Sequence, residues 1–322
     1  TPGVVITTSG PGVSNLATGL VTATDEGDPV LAISGQVKRA DLLKRSHQSM
    51  KNVAMMEPVT KYAVEVHEPD TLSETIANAY RVAKSGKRGA SFVSIPQDVT
   101  DSLVSVKAIK PLTDPQLGSA SVGDINYLAQ AIRNADLPVL LLGNGASTRA
   151  VTKSIRKLLE AVKLPVVETF QGAGIVSREL EEDTFFGRVG LFRNQPGDML
   201  LKKADLVIAI GYDPIEYEAR NWNAEISARI IVIDVAQAEI DTYFQPEREL
   251  IGNIADTIDL LLPAVNGYVL TKASVDYLQN LKKNVVEDVK FDRNSKEGLV
   301  HPLDVIDVLQ ENTTDDMTVT VD

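Results

Sequence analysis

Residues 4–20 read VVITTSGPGVSNLATGL, and this stretch decides the fold of the 322-residue chain. The β-branched run at 4–6 predicts a buried parallel strand, and the spacing of Leu16 and Leu20 predicts a helix after it. The loop at 9–12, SGPG, joins the two elements. A strand, a glycine-rich loop and a helix in this order are typical of a parallel α/β sheet, where ligands bind beyond the carboxyl ends of the strands.

The SGPG loop is either an ordinary connection or a ligand-binding loop. Pro11 fixes its own φ angle, and Gly10 and Gly12 carry no side chain, so a ligand can approach the backbone closely. Because the loop begins a helix, its free N–H groups and the side chain of Asn15 point towards the carboxyl end of the strand. It is not a Walker loop, since no Gly-Lys-Ser/Thr follows. The residues alone leave both interpretations open.

Composition narrows the class of protein. A hydrophobic content of 43% and a charged content of 24% are typical of a soluble globular protein, and the net charge of −12 argues against nucleic acid or an anionic membrane as a partner. The absence of cysteine excludes disulfides and thiolate nucleophiles, and three scattered histidines argue against a His-rich metal site. We therefore expect a cytoplasmic enzyme, or part of one, with no membrane partner.

Strand and helix patterns alternate along the rest of the chain. Apolar runs at 138–142 and 206–210 predict buried strands that feed glycine-containing loops. Such alternation predicts doubly wound parallel sheets with helices on both faces. The chain begins one step before a core strand and ends at an apparent strand entry at 318–322, so we expect an internal piece of a longer polypeptide whose first domain is incomplete.

Several helices carry recognisable start signals. The residues TLSE at 71–74 predict a capping box, and His301-Pro302 predicts the start of a later helix. Ser147 is predicted to be the N-cap of a helix with one apolar stripe. That stripe comprises Val151, Ile155, Leu158 and Val162.

The pair Gly143 and Gly145, between a strand and a helix, is half of a dinucleotide-binding fingerprint. The third glycine is absent, because position 148 is Thr. Glu168 lies at about the distance expected for an acid that binds a ribose, roughly 20 residues on. The alternative is a plain turn in which the glycines serve packing alone.

For three loops, the sequence allows either a functional role or a role as a surface connection. The polar stretch at 44–48, KRSHQ, is either a solvated loop or one that carries a side chain into a cleft. The stretch GLFRNQPG at 190–197 is either an anion or nucleotide loop or a surface connection. Asp213 and Glu216 are spaced to share a turn after the strand at 206–210, but acid–base roles would require burial.

Seven motifs, taken together and in order, give the chain its resemblance to a known family. They are TSGPGVSN at 8–15, GDPVLAISGQV at 27–37, LKRSHQS at 43–49, VTKY at 59–62, SIPQDV at 94–99, VGLFRNQPGD at 189–198 and ADLVIAIGYDPIEY at 204–217. Across essentially its whole length the chain resembles the acetolactate synthase family, and within it the catabolic, acetoin-pathway type. That family is thiamine-diphosphate dependent and has a pyrimidine-binding, a middle and a diphosphate-binding α/β domain.

The resemblance implies a domain organisation. It assigns residues 1–106 to an incomplete pyrimidine-binding domain, 107–123 to a linker, 124–270 to a Rossmann-like middle domain, 271–300 to a charged linker and 301–322 to the start of a truncated diphosphate-binding domain. The Mg²⁺ and diphosphate ligands of the family would then lie outside this chain.

The resemblance also implies the site residues. Cofactor contacts would come from Gly10, Pro11, Asn15 and Gln48, with Gln48 also catalytic, and the substrate channel would be lined by His47 and Gln97. The biosynthetic relatives often have Phe in place of His47 and usually Lys in place of Gln97. They also bind FAD through arginines where this chain has Lys87 and the run YDPIEY at 212–217, so we expect no flavin here.

The implied activity is thiamine-diphosphate-dependent decarboxylation of pyruvate and condensation with a second pyruvate to 2-acetolactate, which feeds acetoin and butanediol formation. We expect a homodimer or homotetramer with the active site at the interface, and no activity from this chain alone. The alternatives are another thiamine-diphosphate enzyme acting on pyruvate, either a pyruvate oxidase or a keto-acid decarboxylase, and a non-catalytic nucleotide-binding module.

Overall fold

The computed structural model describes residues 2–42, 44–110, 112–190, 195–288, 299–314, 317 and 319. Residues 191–194 of the candidate loop at 190–197, much of the predicted charged linker and most of the strand entry at 318–322 lie outside these residues. The chain divides into two compact units, Thr1–Thr271 and Lys272–Asp322, and each is described by itself.

The first sheet has four parallel strands in the order β1-β2-β4-β3. The strands are β1 (Gly3–Thr7), β2 (Val30–Gln36), β3 (Tyr62–Glu65) and β4 (Ala90–Pro96). The helices of this part are α1 (Pro11–Asp25), α2 (Asn52–Met56), α3 (Leu72–Lys84) and α4 (Gln97–Thr100). Because every pairing is parallel, the loops that follow the strands gather at one edge of the sheet.

Adjacent residues of β2 pack on opposite faces of this sheet. Ala32 packs in a cluster with Val13 of α1, whereas Leu31 packs in a second cluster with Ala79 of α3. This alternation follows from the period of two along a strand. It places helices on both faces of the sheet.

Strand β1 is not buried as the sequence indicated. Val4 is 59% exposed and Ile6 is 74% exposed, whereas Val5 packs against the cluster that contains α1. β1 lies at the edge of the four-stranded sheet, and its outer face is not covered by any element that the structure describes. A run of β-branched residues predicts a strand, but it does not predict how many of its faces are covered.

The second sheet has six parallel strands in the order β10-β9-β8-β5-β6-β7. The strands are β5 (Pro138–Leu142), β6 (Val166–Thr169), β7 (Phe185–Val189), β8 (Leu206–Ile210), β9 (Arg229–Asp234) and β10 (Arg248–Ile251). The helices of this part are α5 (Val122–Asn134), α6 (Arg149–Val162), α7 (Arg178–Thr184), α8 (Pro196–Lys203) and α9 (Ile254–Val265). The two parallel sheets with their helices confirm the predicted doubly wound α/β class.

The central strands match their sequence signals, but edge strands were missed. β5 and β8 have the predicted bounds and are buried at every position. No pattern in the sequence predicted β3, β7 or β10, each of which lies at an edge of its sheet. Edge strands are short and carry charged residues, so their apolar pattern is weak.

The two predicted helix caps are wrong. Thr71 lies in a 3₁₀ turn, Pro69–Thr71, and its hydroxyl donates to the Glu68 carbonyl at 2.8 Å instead of capping α3. Ser147 follows the 3₁₀ turn Asn144–Ala146 and donates to the Asn144 carbonyl at 2.7 Å, so α6 begins later. In both places a short 3₁₀ turn precedes the helix, and the hydroxyl donates to a backbone carbonyl three residues earlier. The apolar stripe of α6 is buried as predicted.

Between α4 and α5, the described residues of 101–121 form no helix or strand. The clustering of contacts places both sheets in one unit, and the finer domain boundaries remain a prediction. The second unit contains α10 (Lys272–Asp288) and α11 (Pro302–Asn312), and His301 caps α11 as its position before Pro302 indicated. No helix among the described residues has both the length and the apolar character needed to cross a membrane.

Candidate functional site

Six predicted site residues lie on the loops and first helical turns that follow the strands at the carboxyl edge of the first sheet. We call this edge the Gly10 cleft and define it by Gly10, Pro11, Asn15, His47, Gln48 and Gln97. Gly10 follows β1 and Gln97 follows β4, while the loop that carries Gln48 connects β2 to α2. Pro96 pairs with Gln36 at the ends of adjacent strands, so these loops share one edge.

The glycines of the SGPG loop are required by contacts within the chain. Gly10 has a φ of +65°, and a Cβ built there would lie 3.2 Å from the Gln48 Cα atom. A Cβ on Gly12 would overlap the Thr7 hydroxyl oxygen. The space beside these glycines is therefore occupied by other residues of the chain.

Gln48 is held in an unfavourable backbone conformation. Its φ is +59°, in the left-handed region that costs a non-glycine residue about 1–2 kcal/mol. The Ser9 hydroxyl donates to the Gln48 carbonyl oxygen at 2.9 Å, and the Thr8 hydroxyl donates to its side-chain Oε1 at 3.2 Å. These two bonds fix both the backbone and the amide of Gln48 against the loop of Gly10.

A network of buried polar side chains supports this arrangement. Asn52 is 1% exposed, and its Nδ2 donates to Ser9 Oγ at 3.2 Å and to Ser94 Oγ at 3.3 Å. The Gln36 side chain donates to the Met50 carbonyl at 2.8 Å and so holds the end of the loop that carries Gln48. Leaving such buried groups unpaired is costly, so the network constrains the loop.

Sequence reasoning missed the members of this network. The available signal was the presence of Gln36 and Ser94 inside otherwise apolar strands, where a polar residue usually requires a partner. Asn52 gave no signal of its own, because it stands outside any apolar strand pattern.

The remaining predicted residues lie at the rim of the cleft. Pro11 and Asn15 are exposed and four residues apart on α1, so they share one face of that helix. His47 is exposed beside Gln48, and Gln97 is exposed at the first position of α4. Only Gly10 and Gln48, among these six residues, are in a close contact that the structure documents.

A second cavity, of about 410 Å³, lies where loops of the two sheets meet within the first unit, and we call it the intersheet pocket. It is lined by residues of 25–29 and 86–88 and by loops that follow β5, β8 and β9. The Lys87 Nζ atom lies 2.5 Å from Asp213 Oδ2, and the side-chain Nδ2 of Asn144 donates to the Glu26 carbonyl at 2.8 Å. These contacts join the two sides of the pocket.

The Gly143 and Gly145 pair serves packing between two loops of the second sheet. A Cβ on Gly143 would lie 2.5 Å from the Gly211 carbonyl oxygen, and the Gly145 amide donates to that oxygen at 2.8 Å. Gly211 has a φ of +54°, and a Cβ there would overlap Ala146 N. The loops after β5 and β8 approach closely because glycine occupies all three positions.

Glu216 provides an internal anion for this turn. Its carboxylate accepts hydrogen bonds from the amides of Asn144 and Asp213, each at 3.0 Å, and from the Thr169 hydroxyl at 2.6 Å. Burial raises the pKa of Glu216 above its usual value, against the opposing effect of the Thr169 hydrogen bond. The Glu216 amide donates to the Asp213 carbonyl at 2.9 Å, which confirms the predicted shared turn.

Asp234 is the second buried acid of this pocket. It ends β9, and burial raises its pKa to about 6, although backbone hydrogen bonds from Val235 and Ala236 act in the opposite direction. The proximity of Asp213 and Glu216 adds to the rise in the pKa of Asp234. An acidic group with this pKa titrates close to neutral pH.

Glu168 does not lie where it could bind a ribose, although its spacing from the glycine pair suggested this role. It is 1% exposed, and its carboxylate accepts hydrogen bonds from the amides of Val176 at 2.7 Å and Gly174 at 3.2 Å. It is not among the residues that line the intersheet pocket. Glu168 instead holds the segment that follows β6, a long-range role that spacing along the chain does not reveal.

Comparison with known proteins identifies two domain types. The model described as thiamine pyrophosphate enzyme, N-terminal TPP binding domain, matches residues 1–55, which include Gly10 and Gln48. The model described as thiamine pyrophosphate enzyme, central domain, matches residues 125–261, which include the six strands of the second sheet.

The chain is similar to several curated proteins. It is 46% identical over 321 residues to an acetolactate synthase of Bacillus subtilis, covering 100% of this chain and 56% of that protein. It is 42% identical over 323 residues to the catabolic acetolactate synthase of Raoultella terrigena, covering 99% and 57%. It is 28% identical over 320 residues to a probable acetolactate synthase large subunit of Methanocaldococcus jannaschii, covering 96% and 54%. The chain spans just over half the length of these relatives.

Proposed function

Given that this chain is homologous to the acetolactate synthases of the thiamine pyrophosphate enzyme family, we propose that the protein to which it belongs makes 2-acetolactate from two molecules of pyruvate. The observation that carries the proposal is the 46% identity that extends over the whole chain. The relative at 42% identity is named as a catabolic enzyme, which favours a role in acetoin and butanediol formation. The names of these relatives do not favour a pyruvate oxidase or a keto-acid decarboxylase.

The Gly10 cleft suits the pyrimidine half of thiamine diphosphate. It offers the exposed ring of Pro11 as an apolar surface and the neutral amides of Asn15 and Gln48 as hydrogen-bonding groups, which match a heteroaromatic ring. The loop of Gly10 packs against Gln48 and fixes its position. When bound, the cofactor supplies the electron sink for decarboxylation of a 2-keto acid.

Mg²⁺ is proposed to bind outside this chain. Within the described residues no group of three or more His, Asp or Glu side chains is arranged to hold a metal ion. We propose that the diphosphate and its Mg²⁺ take their ligands from elsewhere in the assembly. We propose a homodimer or homotetramer in which the active site lies between subunits. The proposed location of the protein is the cytoplasm.

Gln48 is the residue of this chain that we assign to the reacting substrate. The Thr8 hydroxyl donates to Gln48 Oε1, so the amide nitrogen remains as the hydrogen-bond donor of this side chain. Such a donor can orient the carboxylate or keto oxygen of pyruvate. His47 and Gln97, both exposed at the same edge, would line the path of the substrate.

No flavin is proposed to bind in the intersheet pocket. A dinucleotide would require the N–H groups of the loop after β5, and the Glu216 carboxylate already accepts the Asn144 amide. Its negative charge also opposes a pyrophosphate at the same place. The purified whole protein is expected to be colourless, and stoichiometric flavin absorbance would contradict this part of the proposal.

The function is tested with the whole protein, pyruvate, thiamine diphosphate and Mg²⁺. We expect pyruvate to be converted into 2-acetolactate, which is measured as acetoin after acid decarboxylation. Release of acetaldehyde or acetyl phosphate as the main product would instead support one of the alternative enzymes. The isolated 322-residue chain is expected to show no turnover, and turnover by that chain would contradict the assignment of cofactor ligands outside it.

A further inference from the structure

A segment that leaves the first sheet runs back along helix α3, and we call its residues 104–110 and 112–114 the strap. The Ser105 amide donates to the Asp70 carboxylate at 2.7 Å, just before α3, and the Ser105 hydroxyl donates to the same carboxylate. At the other end, Asp114 forms an ion pair with Lys84 in the last turn of α3. The strap is thus tied near both ends of a helix that is about 20 Å long.

The strap and α3 enclose a cavity of about 600 Å³, which we call the strap cavity. Its apolar walls include Leu31 from β2, Leu72, Ile76 and Tyr80 from α3, and Val106 and Ile109 from the strap. The Ile109 amide donates to Ser73 Oγ at 2.7 Å, so a polar contact also fixes the middle of the strap. These anchors hold the strap backbone beside the helix without closing the space between their apolar side chains.

The strap leaves an unusual amount of apolar surface in water. Val104 is 52% exposed, Ile109 is 45% exposed and Leu112 is 61% exposed, and all three line the strap cavity. Covering such surface is favourable in proportion to its area. A molecule that fills the cavity would therefore gain hydrophobic contact with the strap and α3 together.

The charges at the rim favour an anion. Arg81 and Lys110 line the cavity, and neither side chain has an ion pair or hydrogen bond within the part of the chain that the structure describes. The acids at the rim are already engaged, Asp70 by Ser105 and Asp114 by Lys84. Two unpaired cations beside an apolar cavity are notable in a chain whose net charge is −12.

We propose that the strap cavity binds an amphipathic anion, with a hydrocarbon or aromatic body against α3 and a carboxylate beside Arg81 and Lys110. Its volume lies within the range of about 300–1,000 Å³ that is typical of small-molecule pockets, and its mixture of apolar walls and few charges is typical of them too. The cavity is formed by α3 and the strap, apart from the Gly10 cleft and from the intersheet pocket, so it would be a separate binding site.

The test follows decanoate binding to the whole protein by isoleucine methyl NMR spectra. The signals of Ile76 and Ile109 are assigned by the variants Ile76→Val and Ile109→Val. We expect both signals to shift saturably with decanoate below its micelle concentration, while that of Ile258, buried in the core of the second sheet, stays in place. If the Ile76 and Ile109 signals do not shift, the proposal is wrong.

Two sets of variants test separately how the apolar body of the ligand and its charge contribute to binding. Ala77→Trp places an indole in the cavity and is expected to weaken decanoate binding at least tenfold, whereas Asn78→Trp, at the exposed neighbouring position, leaves it unchanged. The double variant Arg81→Gln with Lys110→Gln is expected to weaken decanoate binding about fivefold, to the affinity of decanol for the parent chain. Lys51→Gln, at an exposed site away from the cavity, is the charge control.

Each outcome of these comparisons bears on the proposal. Equal affinity for decanoate and decanol in the parent chain would contradict the role of the two cations. Unchanged binding to Ala77→Trp would show that decanoate binds elsewhere. Far-ultraviolet circular dichroism of each variant checks that α3 is retained, so that a loss of binding is not a loss of fold.

Discussion

Gly10 and Gln48 lie against each other with both backbones in the left-handed region, at φ angles of +65° and +59°. A Cβ on Gly10 would lie 3.2 Å from both the Cα and the Cβ of Gln48. Two loops that are distant in sequence therefore form one unit, in which a glycine makes room for a strained glutamine. Because Gln48 is the residue that we assign to the substrate, this contact connects the loop glycine to catalysis.

The variant Gly10→Ala is expected to displace Gln48. The added methyl group is strained by the φ of +65° and crowds Gln48, so we expect the free energy of unfolding to fall by about 1–3 kcal/mol. The kcat of the whole protein should fall by about 10-fold to 100-fold, since a small displacement of a positioned group is sufficient. Urea unfolding and acetolactate formation measure the two effects.

Gly19→Ala is the matched control for that variant. Gly19 lies within α1, and a Cβ there meets nothing within 4 Å. Alanine should raise helix stability by about 0.5–1 kcal/mol and leave kcat as in the parent. Equal losses of activity in both variants would refute the specific role of the contact between Gly10 and Gln48.

Asn52→Ala removes the centre of the buried network beneath Gln48. Ser9 and Ser94 lose a hydrogen-bond donor, so we expect a loss of about 1–3 kcal/mol in the free energy of unfolding. Asn15→Ala, at an exposed position of α1, should change stability by less than about 0.5 kcal/mol and instead weaken thiamine diphosphate binding to the whole protein. The reverse pattern, with Asn15 determining stability, would be inconsistent with this assignment of roles.

Gly211→Ala tests the packing of the loops around the intersheet pocket. Its Cβ would overlap Ala146 N in a backbone with a φ of +54°, so we expect a loss of about 2–4 kcal/mol in the free energy of unfolding. Gly118→Ala, where a Cβ meets nothing within 4 Å, is the control and should stay within about 0.5 kcal/mol of the parent. Similar urea midpoints for both variants would contradict the close approach of these loops.

Asp234→Asn tests the titration of a buried acid. Burial raises the pKa of Asp234 to about 6, so the folded chain binds more protons than the unfolded chain between about pH 4 and pH 6. This contribution stabilises the fold below that range and is lost as the pH rises through 6. Asparagine can still accept the Val235 amide but does not ionise, so the variant should be more stable than the parent at pH 7.5, by roughly 1–3 kcal/mol.

The measurement is a series of urea unfolding curves from pH 4 to pH 7.5. The difference in the free energy of unfolding between Asp234→Asn and the parent should grow from about pH 4 to just above pH 6 and then level off. Asp101→Asn, at an exposed position after α4, provides the comparison for a surface acid. A constant difference between Asp234→Asn and the parent at all pH values would show that Asp234 does not titrate as described.

Local patterns in the sequence determined much of the fold. The strands β5 and β8 and the buried stripe of α6 are where the apolar period predicts them, because burial of a central element repeats along its own sequence. The motifs likewise sufficed for the resemblance to acetolactate synthases. Three of the four edge strands and two helix caps were missed or misplaced, since these elements depend on contacts with residues that are distant in the sequence.

Only the tertiary structure showed which groups occupy the space beside the glycine-containing turns. It places Gln48 against Gly10 and the Glu216 carboxylate against the Asn144 amide, whereas the sequence alone left both turns open to a ligand. It also decided that Glu168 holds a loop and that Val4 and Ile6 are exposed. Residue type and spacing along the chain determine which elements form. Which groups occupy the space between those elements depends on contacts across tens of residues, and these exist only after the sheets and loops have packed.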